Sequence, residues 1–262
     1  MRINILFTCE KLPILYRHRI MAMIKEALRL SDKSYKDSLY PDKNSVISKI
    51  VKPFSFSLLL PKSKEIKKEK ITVDADLDVE DVVFYFPNDN TVSLLVSSYD
   101  NLFTMLLYNG LLAMKEFDFG NGITLTLKKV FLLNEKQINN SEAIFKTISP
   151  ILIEDKNEKP LLPDNNLLEF NNELNIIHDK ILNDIRGRGL KTSLEFTPIT
   201  CKKQVVKHTL EGFRKKTGKP YMTLTCYEGQ FKLKGEPEDL QTLYQVGIGL
   251  RTGQGFGMIE VI

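Results

Sequence analysis

The chain has 262 residues, 42% of them hydrophobic and 27% charged, with a net charge of +4. These proportions are ordinary for a soluble globular protein of one large domain or two small ones. Three cysteines, Cys9, Cys201 and Cys226, show neither a disulfide framework nor metal-site spacing, so a reduced cytoplasmic interior is expected. The start, MRINILFTCEK, lacks a signal-peptide apolar region, and no stretch approaches the length of a membrane span.

A mildly basic net charge does not by itself indicate nucleic acid, but its distribution is informative. Between Lys202 and Lys219 there are seven Lys or Arg and one acid, Glu211. Between Lys62 and Lys70 there are five lysines and two glutamates. Such runs are solvated loops or, gathered on one face, a footprint for a polyanion.

In chain order, Ile3, Ile5 and Phe7 alternate and predict a strand over 1–9. Apolar positions 20, 23, 24, 27 and 28 predict a helix over 15–30. Residues 31–52 read as a loop with at most a short helix, because they are polar and contain Pro41. FSFSLLL (54–60) is a strand, and Lys62–Lys70 is read as a hairpin tip. ITVDADLDV, VVFYFP and TVSLLVSS are strand candidates. A second helix is expected over 99–114 and an alternating strand over 123–133.

The second half repeats the pattern more loosely. KTISPILIED (146–155) reads as a strand, and 166–185 as a long helix with Leu167, Leu168, Leu174, Ile177, Ile181 and Leu182 on its apolar stripe. His178 on that helix is assigned to the surface. LEFTPI, KQVVKHTLEGF and KPYMTLTCYEGQFKLKG read as strands. EPEDLQTLYQVG reads as a short helix with acids in its first turn, as the helix dipole favours. The expected fold class is α+β: two tandem ferredoxin-like (RRM-like) units, over 1–135 and 146–262, with a C-terminal glycine-rich loop.

That loop, GIGLRTGQGFGMIEVI, carries Gly247, Gly249, Gly253, Gly255 and Gly257. Dense glycine costs conformational entropy and needs a local reason. One reason is a backbone whose N–H groups cradle a phosphate, with Arg251 pairing to the same anion. The other is a tight turn before a last strand over Phe256–Ile262.

Four segments, in order, resemble the Cas6 family of CRISPR-associated endoribonucleases: LPILYRHRIMAMIKEAL (12–28), KPFSFSLL (52–59), KTISPILI (146–153) and GIGLRTGQGFGMIEV (247–261). The resemblance spans essentially the whole chain. It implies binding of repeat RNA, in the precursor and the mature guide, and cleavage without a metal or other cofactor. In that chemistry the 2′-hydroxyl attacks its neighbouring phosphate, leaving a 2′,3′-cyclic phosphate and a 5′-hydroxyl. Other CRISPR effector subunits and a second copy of the chain are possible partners under the same resemblance. No carboxylate or histidine cluster arranged as metal ligands is visible in the sequence.

The chain departs from the family where many members carry a general-base histidine, in the loop before the Phe-Ser strand. Its three histidines are His18, His178 and His208, and the family-like position falls on Tyr40. A tyrosine is mostly protonated near neutral pH. Three readings stay open. Tyr40 with Lys25, Lys49 or Lys52 does the chemistry; a histidine arrives from elsewhere in space; or the chain binds repeat RNA without cutting it. A structural subunit of a larger ribonucleoprotein is the remaining alternative and would carry an exposed apolar patch. Candidate RNA-binding residues are Lys202, Lys203, Lys207, Arg214, Arg186, Arg188, Gly247, Gly249, Arg251, Gly255 and Gly257. Tyr35 and Tyr40, aromatic in a polar loop, either stack on a base or plug the loop against the helix.

Overall fold

A computed structural model describes residues 1–41, 50–74 and 77–262. The first half comprises β1 (Arg2–Thr8), β2 (Lys11–Pro13), α1 (Arg17–Ser31), α2 (Lys33–Leu39), β3 (Phe54–Leu59), β4 (Glu65–Asp74), β5 (Leu77–Tyr85), β6 (Thr91–Ser98), α3 (Asn101–Met114), β7 (Glu116–Gly120) and β8 (Ile123–Leu133). The main sheet runs β3-β6-β1-β8-β7. Without the edge strand β7, its order and its β-α-β-β-α-β course are ferredoxin-like. Ile3, Ile5 and Phe7 of β1 face α1, whose Ile20, Met23, Ile24, Ala27 and Leu28 are buried against them. The helices α1 and α3 meet closely because Gly110 has no side chain: a Cβ there would fall 1.8 Å from the Ala27 carbonyl oxygen. The α3 N-terminus is set by Asp100, whose carboxylate accepts the N–H groups of Leu102 and Phe103.

A separate ribbon, ordered β2-β5-β4, stands beside this unit. The lysine run 62–70 is therefore largely strand β4, because Ile71 and Val73 pack in a small core with Leu15 and Val83. Its exposed lysines are ladder positions rather than a tip, with Lys68 and Lys70 on the face opposite Ile71 and Val73 and Lys67 on the same face as them.

The second half comprises β9 (Glu142–Thr147), α4 (Leu167–Arg186), β10 (Glu195–His208), α5 (Glu211–Thr217), β11 (Met222–Lys234), α6 (Pro237–Val246) and β12 (Ile259–Val261). Its sheet runs β10-β11-β9-β12, again ferredoxin-like, with α4 and α6 on the Phe145, Phe196 and Phe231 face. Several local expectations are corrected. LEFTPI and KQVVKH form one strand, β10, bent by a register shift at Pro198. TLEGF is not a strand: Glu211 starts α5, the Glu211–Lys215 pair braces it at 2.6 Å, and Gly218 ends it in the left-handed region. The strand expected over 146–155 stops at Thr147. Ile148 and Ser149 both donate to the Met258 carbonyl and Pro150 has no N–H to continue the ladder. The last strand is shorter than expected for a related reason, since the Gly257 N–H is taken by the Pro150 carbonyl.

The edge of β10 is covered by side chains rather than by another strand. Asn171 and Asn175 of α4 each accept one N–H and donate to one carbonyl, at Phe196 and Leu194 respectively. Four-residue spacing on the helix thus matches two-residue spacing on the strand.

The two halves are fastened by buried polar contacts. Arg2 reaches from β1 to Glu260 and to the Ile259 carbonyl, both at 2.5 Å, with its guanidinium 4.0 Å from the Tyr244 ring centre. The Ser57 hydroxyl donates to the Ile148 carbonyl at 2.9 Å.

Candidate active site and nucleic-acid interface

The sequence-predicted catalytic residues converge in part. Tyr40 follows α2 as its C-cap, and Lys25 and Lys52 place their ammonium nitrogens 4.7 and 4.6 Å from the Tyr40 ring centre. Lys49 lies outside the described residues. The Lys52 amine donates to the carbonyls of Leu39, at 2.7 Å, and Ile50, at 2.8 Å. Burial, and then the charge of Lys25, lowers its pKa to about 8. The Tyr40 hydroxyl is itself buried without a hydrogen-bond partner among the described residues, and burial raises its pKa further. What Tyr40 offers is its ring, which attracts two ammonium groups.

Tyr35 plugs rather than projects. Its hydroxyl donates to Asp100 Oδ2 at 2.6 Å, fixing α2 to the start of α3. Beside it opens a groove of about 440 Å³, lined by Tyr35, Leu39, Val51, Tyr99 and Asp100, with Asp184 arriving from α4. The groove adjoins Lys52 through Val51 and Pro53.

Against Lys52 lies the glycine run. Residues Thr252–Gln254 form one 3₁₀ turn, and a Cβ at Gly253 would fall 2.8 Å from both Cβ and Cγ of Lys52. The glycines of the run are buried, and four of them spend their amides inside the protein. Gly247 donates to Leu243, Gly249 to His178, Gly255 to Thr252 and Gly257 to Pro150. The phosphate cradle expected from the spacing therefore finds no free N–H at these four glycines. All four are closely packed: Gly247 and Gly255 against Ser55 and Phe56 of the first half, Gly249 and Gly257 against Leu152 and Ile248 of the second. Arg251, left-handed at φ 61°, starts the 3₁₀ turn.

The histidines occupy three different places. His208, at the end of β10, is buried, with Nε2 2.9 Å from Gln254 Oε1 and its ring edge-on to Phe256. His18 on α1 is half-buried; burial first, then neighbouring Arg214 and Arg19, brings its pKa to about 4. His178 is not on the surface as expected but fully buried. Spacing of four from Leu174 and to Leu182 puts it on the apolar face, a signal the sequence carried.

Most of the basic residues expected to meet RNA already have acidic partners. Lys207 pairs with Asp81 of β5 at 2.6 Å, and Arg214 with Asp74 of β4 at 2.9 Å. Arg186 is buried against Asp239, and Arg188 pairs with Glu238. Lys202 and Lys203 are exposed on β10, opposite Glu228 and Tyr227, and as adjacent strand residues they point to opposite faces.

Residues 133–261, which include the whole glycine run, match the family model described as CRISPR associated protein Cas6, C-terminal. Over that segment the chain carries a Cas6 C-terminal domain. Solved structures extend the likeness of fold to the first half. A structure described as an RAMP protein binding different RNA substrates matches with TM-score 0.74 at 18% identity, over 100% of this chain and 99% of that one. A Cas6-related protein from Pyrococcus furiosus matches with TM-score 0.74 at 19% identity, over 100% and 98%. A further CRISPR associated protein Cas6 matches with TM-score 0.68 at 21% identity, over 100% and 99%. No curated protein sequence matches the chain. The tandem ferredoxin-like architecture is thus shared with these solved structures over their whole length. Among the described residues, no helix is long and apolar enough to cross a membrane.

Proposed function

We propose that this Cas6 protein binds CRISPR repeat RNA and cleaves it by 2′-hydroxyl attack, with Lys52 as the central catalytic group and units over 1–135 and 146–262 sharing the RNA. One observation carries the reading. Lys52 is a lysine of depressed pKa, pinned by two carbonyls next to a groove that its neighbours Val51 and Pro53 line, and flanked by a second ammonium. Perturbed titration in a cleft marks a functional group. Its ammonium stabilises the charge that builds on the phosphorane oxygens, and Lys25 adds to the same field. Tyr40 orders the two ammonium groups through its ring; its buried hydroxyl is removed from the chemistry. Exposed Lys202 and Lys203 contribute backbone contacts to the RNA.

The deciding assay uses cognate repeat RNA, labelled at the 5′ end, in EDTA. Lys52→Ala should abolish cleavage and a 2′-deoxy substitution at the scissile position should do the same. Full activity of Lys52→Ala rules out this site.

RNA binding without cleavage is the second reading, favoured by the buried Tyr40 hydroxyl. It predicts a tight complex and no product. The subunit reading has one supporting observation: α3 carries no charged residue, and its Leu102, Met105 and Leu112 are exposed. It predicts weak RNA binding by the isolated chain.

A further inference from the structure

Two buried imidazoles touch the glycine run: His208 meets the Gln254 side chain, whereas His178 meets a backbone amide. The His178 Nδ1 lies 2.6 Å from the Leu174 carbonyl one helical turn back, so Nδ1 carries the proton. Nε2 is then an acceptor, and it receives the Gly249 N–H at 2.9 Å. Gly249 cannot easily be held otherwise. It lies at φ +85°, and a Cβ there would fall 2.5 Å from the Leu152 carbonyl oxygen. The next residue is also pinned, with Leu250 N–H donating to that same carbonyl at 2.8 Å. The chain then enters the 3₁₀ turn whose Gly253 rests on Lys52. Gly249 and Gly253 are thus two ends of one short strut, anchored at His178 and seated on the Lys52 side chain.

We propose that His178 is a positioning residue: by accepting the Gly249 N–H it fixes the glycine strut and so holds the Lys52 side chain in place from the other half of the molecule. This rests on the nuclease reading for its effect on rate, but not for its effect on Lys52. An apolar replacement leaves the Gly249 N–H buried without an acceptor, and the strut must move to satisfy it. A glutamine, whose Oε1 reaches about as far as Nε2, keeps an acceptor in place.

The test compares wild type, His178→Leu and His178→Gln. The first readout is the pH profile of Lys52 acylation, followed by mass spectrometry on the protein without RNA. In wild type the profile should centre on about 8. In His178→Leu it should move toward the ordinary lysine value as the amine is released to solvent, and in His178→Gln it should return. The second readout is single-turnover cleavage and RNA affinity. Misplacement of a reacting group by about 1 Å costs up to about a hundredfold in rate. His178→Leu should therefore lose about 10- to 100-fold in rate with affinity within about twofold, and His178→Gln should recover most of it. An unchanged Lys52 profile in His178→Leu overturns the proposal. Absence of cleavage by wild type removes the nuclease reading and leaves the Lys52 profile to decide. Should His178→Leu fail to fold, the 15N–15N coupling across the hydrogen bond between Gly249 N and His178 Nε2 in wild type decides instead; its absence overturns the assignment.

Discussion

Arg186 Nη2 lies 2.5 Å from Asp239 Oδ1, with the two side chains only 4% and 0% exposed. The pair ties the end of α4 to the first turn of α6, and both partners are otherwise satisfied. Arg186 also donates to the Gly189 carbonyl, and Asp239 accepts the Lys191 N–H at 2.8 Å. A charge held this way is structural, whatever its sign suggests about RNA. Asp239→Ala strands a buried guanidinium and should cost about 3–5 kcal/mol. Urea denaturation, read as a shift in midpoint at constant slope, measures it.

Pairing with acids sorts the remaining exposed basic residues. Lys202→Ala and Lys203→Ala should each weaken RNA binding, and a residue that contacts a phosphate should lower the salt slope by about 0.7 when removed. Arg188→Ala should leave that slope alone, because Arg188 is committed to Glu238. Binding curves at several salt concentrations separate the two classes.

Lys52 sets the pH dependence expected of cleavage. Its pKa of about 8 lies below the ordinary 10.5, so the ammonium is present below about pH 8 and lost above it. With the charged form active, the rate contribution from this group falls as pH rises through about 8. Lys52→Arg, which stays charged, should not show that fall. The stability linkage has the opposite slope: between about 8 and 10.5 the unfolded chain binds the extra proton, so the cost of burying this group falls as pH rises.

Two glycines make a controlled comparison. At Gly253 an added Cβ would meet Lys52 at 2.8 Å, so Gly253→Ala should cost about 1–3 kcal/mol by overpacking. Gly212 sits in α5 with open space around its Cβ position, and Gly212→Ala should stabilise by about 0.4–1 kcal/mol. Thermal melts of both variants, with opposite shifts in Tm, check the pair.

Periodicity was a reliable guide where a segment buries one continuous face. The alternation of Ile3, Ile5 and Phe7 and the α1 stripe from Ile20 to Leu28 correspond to the first core residue by residue. It misled where burial changes along a segment. KQVVKHTLEGF reads as strand throughout, but the strand ends at His208, and the helix that follows is fixed by Glu211, Lys215 and Gly218, a charge pair and a cap rather than an apolar pattern. His178 was assigned by residue type to the surface, although its spacing from Leu174 and Leu182 already placed it inside.

By itself the sequence determined the α+β course, the two ferredoxin-like halves and the glycine-run signature, because each rests on local spacing along the chain. Only the tertiary structure decided what those glycines do. Their N–H groups pointed to an anion so long as their acceptors were unknown; the carbonyls of Leu243 and Thr252 are local, but His178 and the Pro150 carbonyl are far away in sequence. The same holds for the basic residues: Asp74, Asp81 and Asp239 neutralise Arg214, Lys207 and Arg186 across gaps that no local pattern can bridge. A charge or an amide is available for binding only when the fold has not already used it.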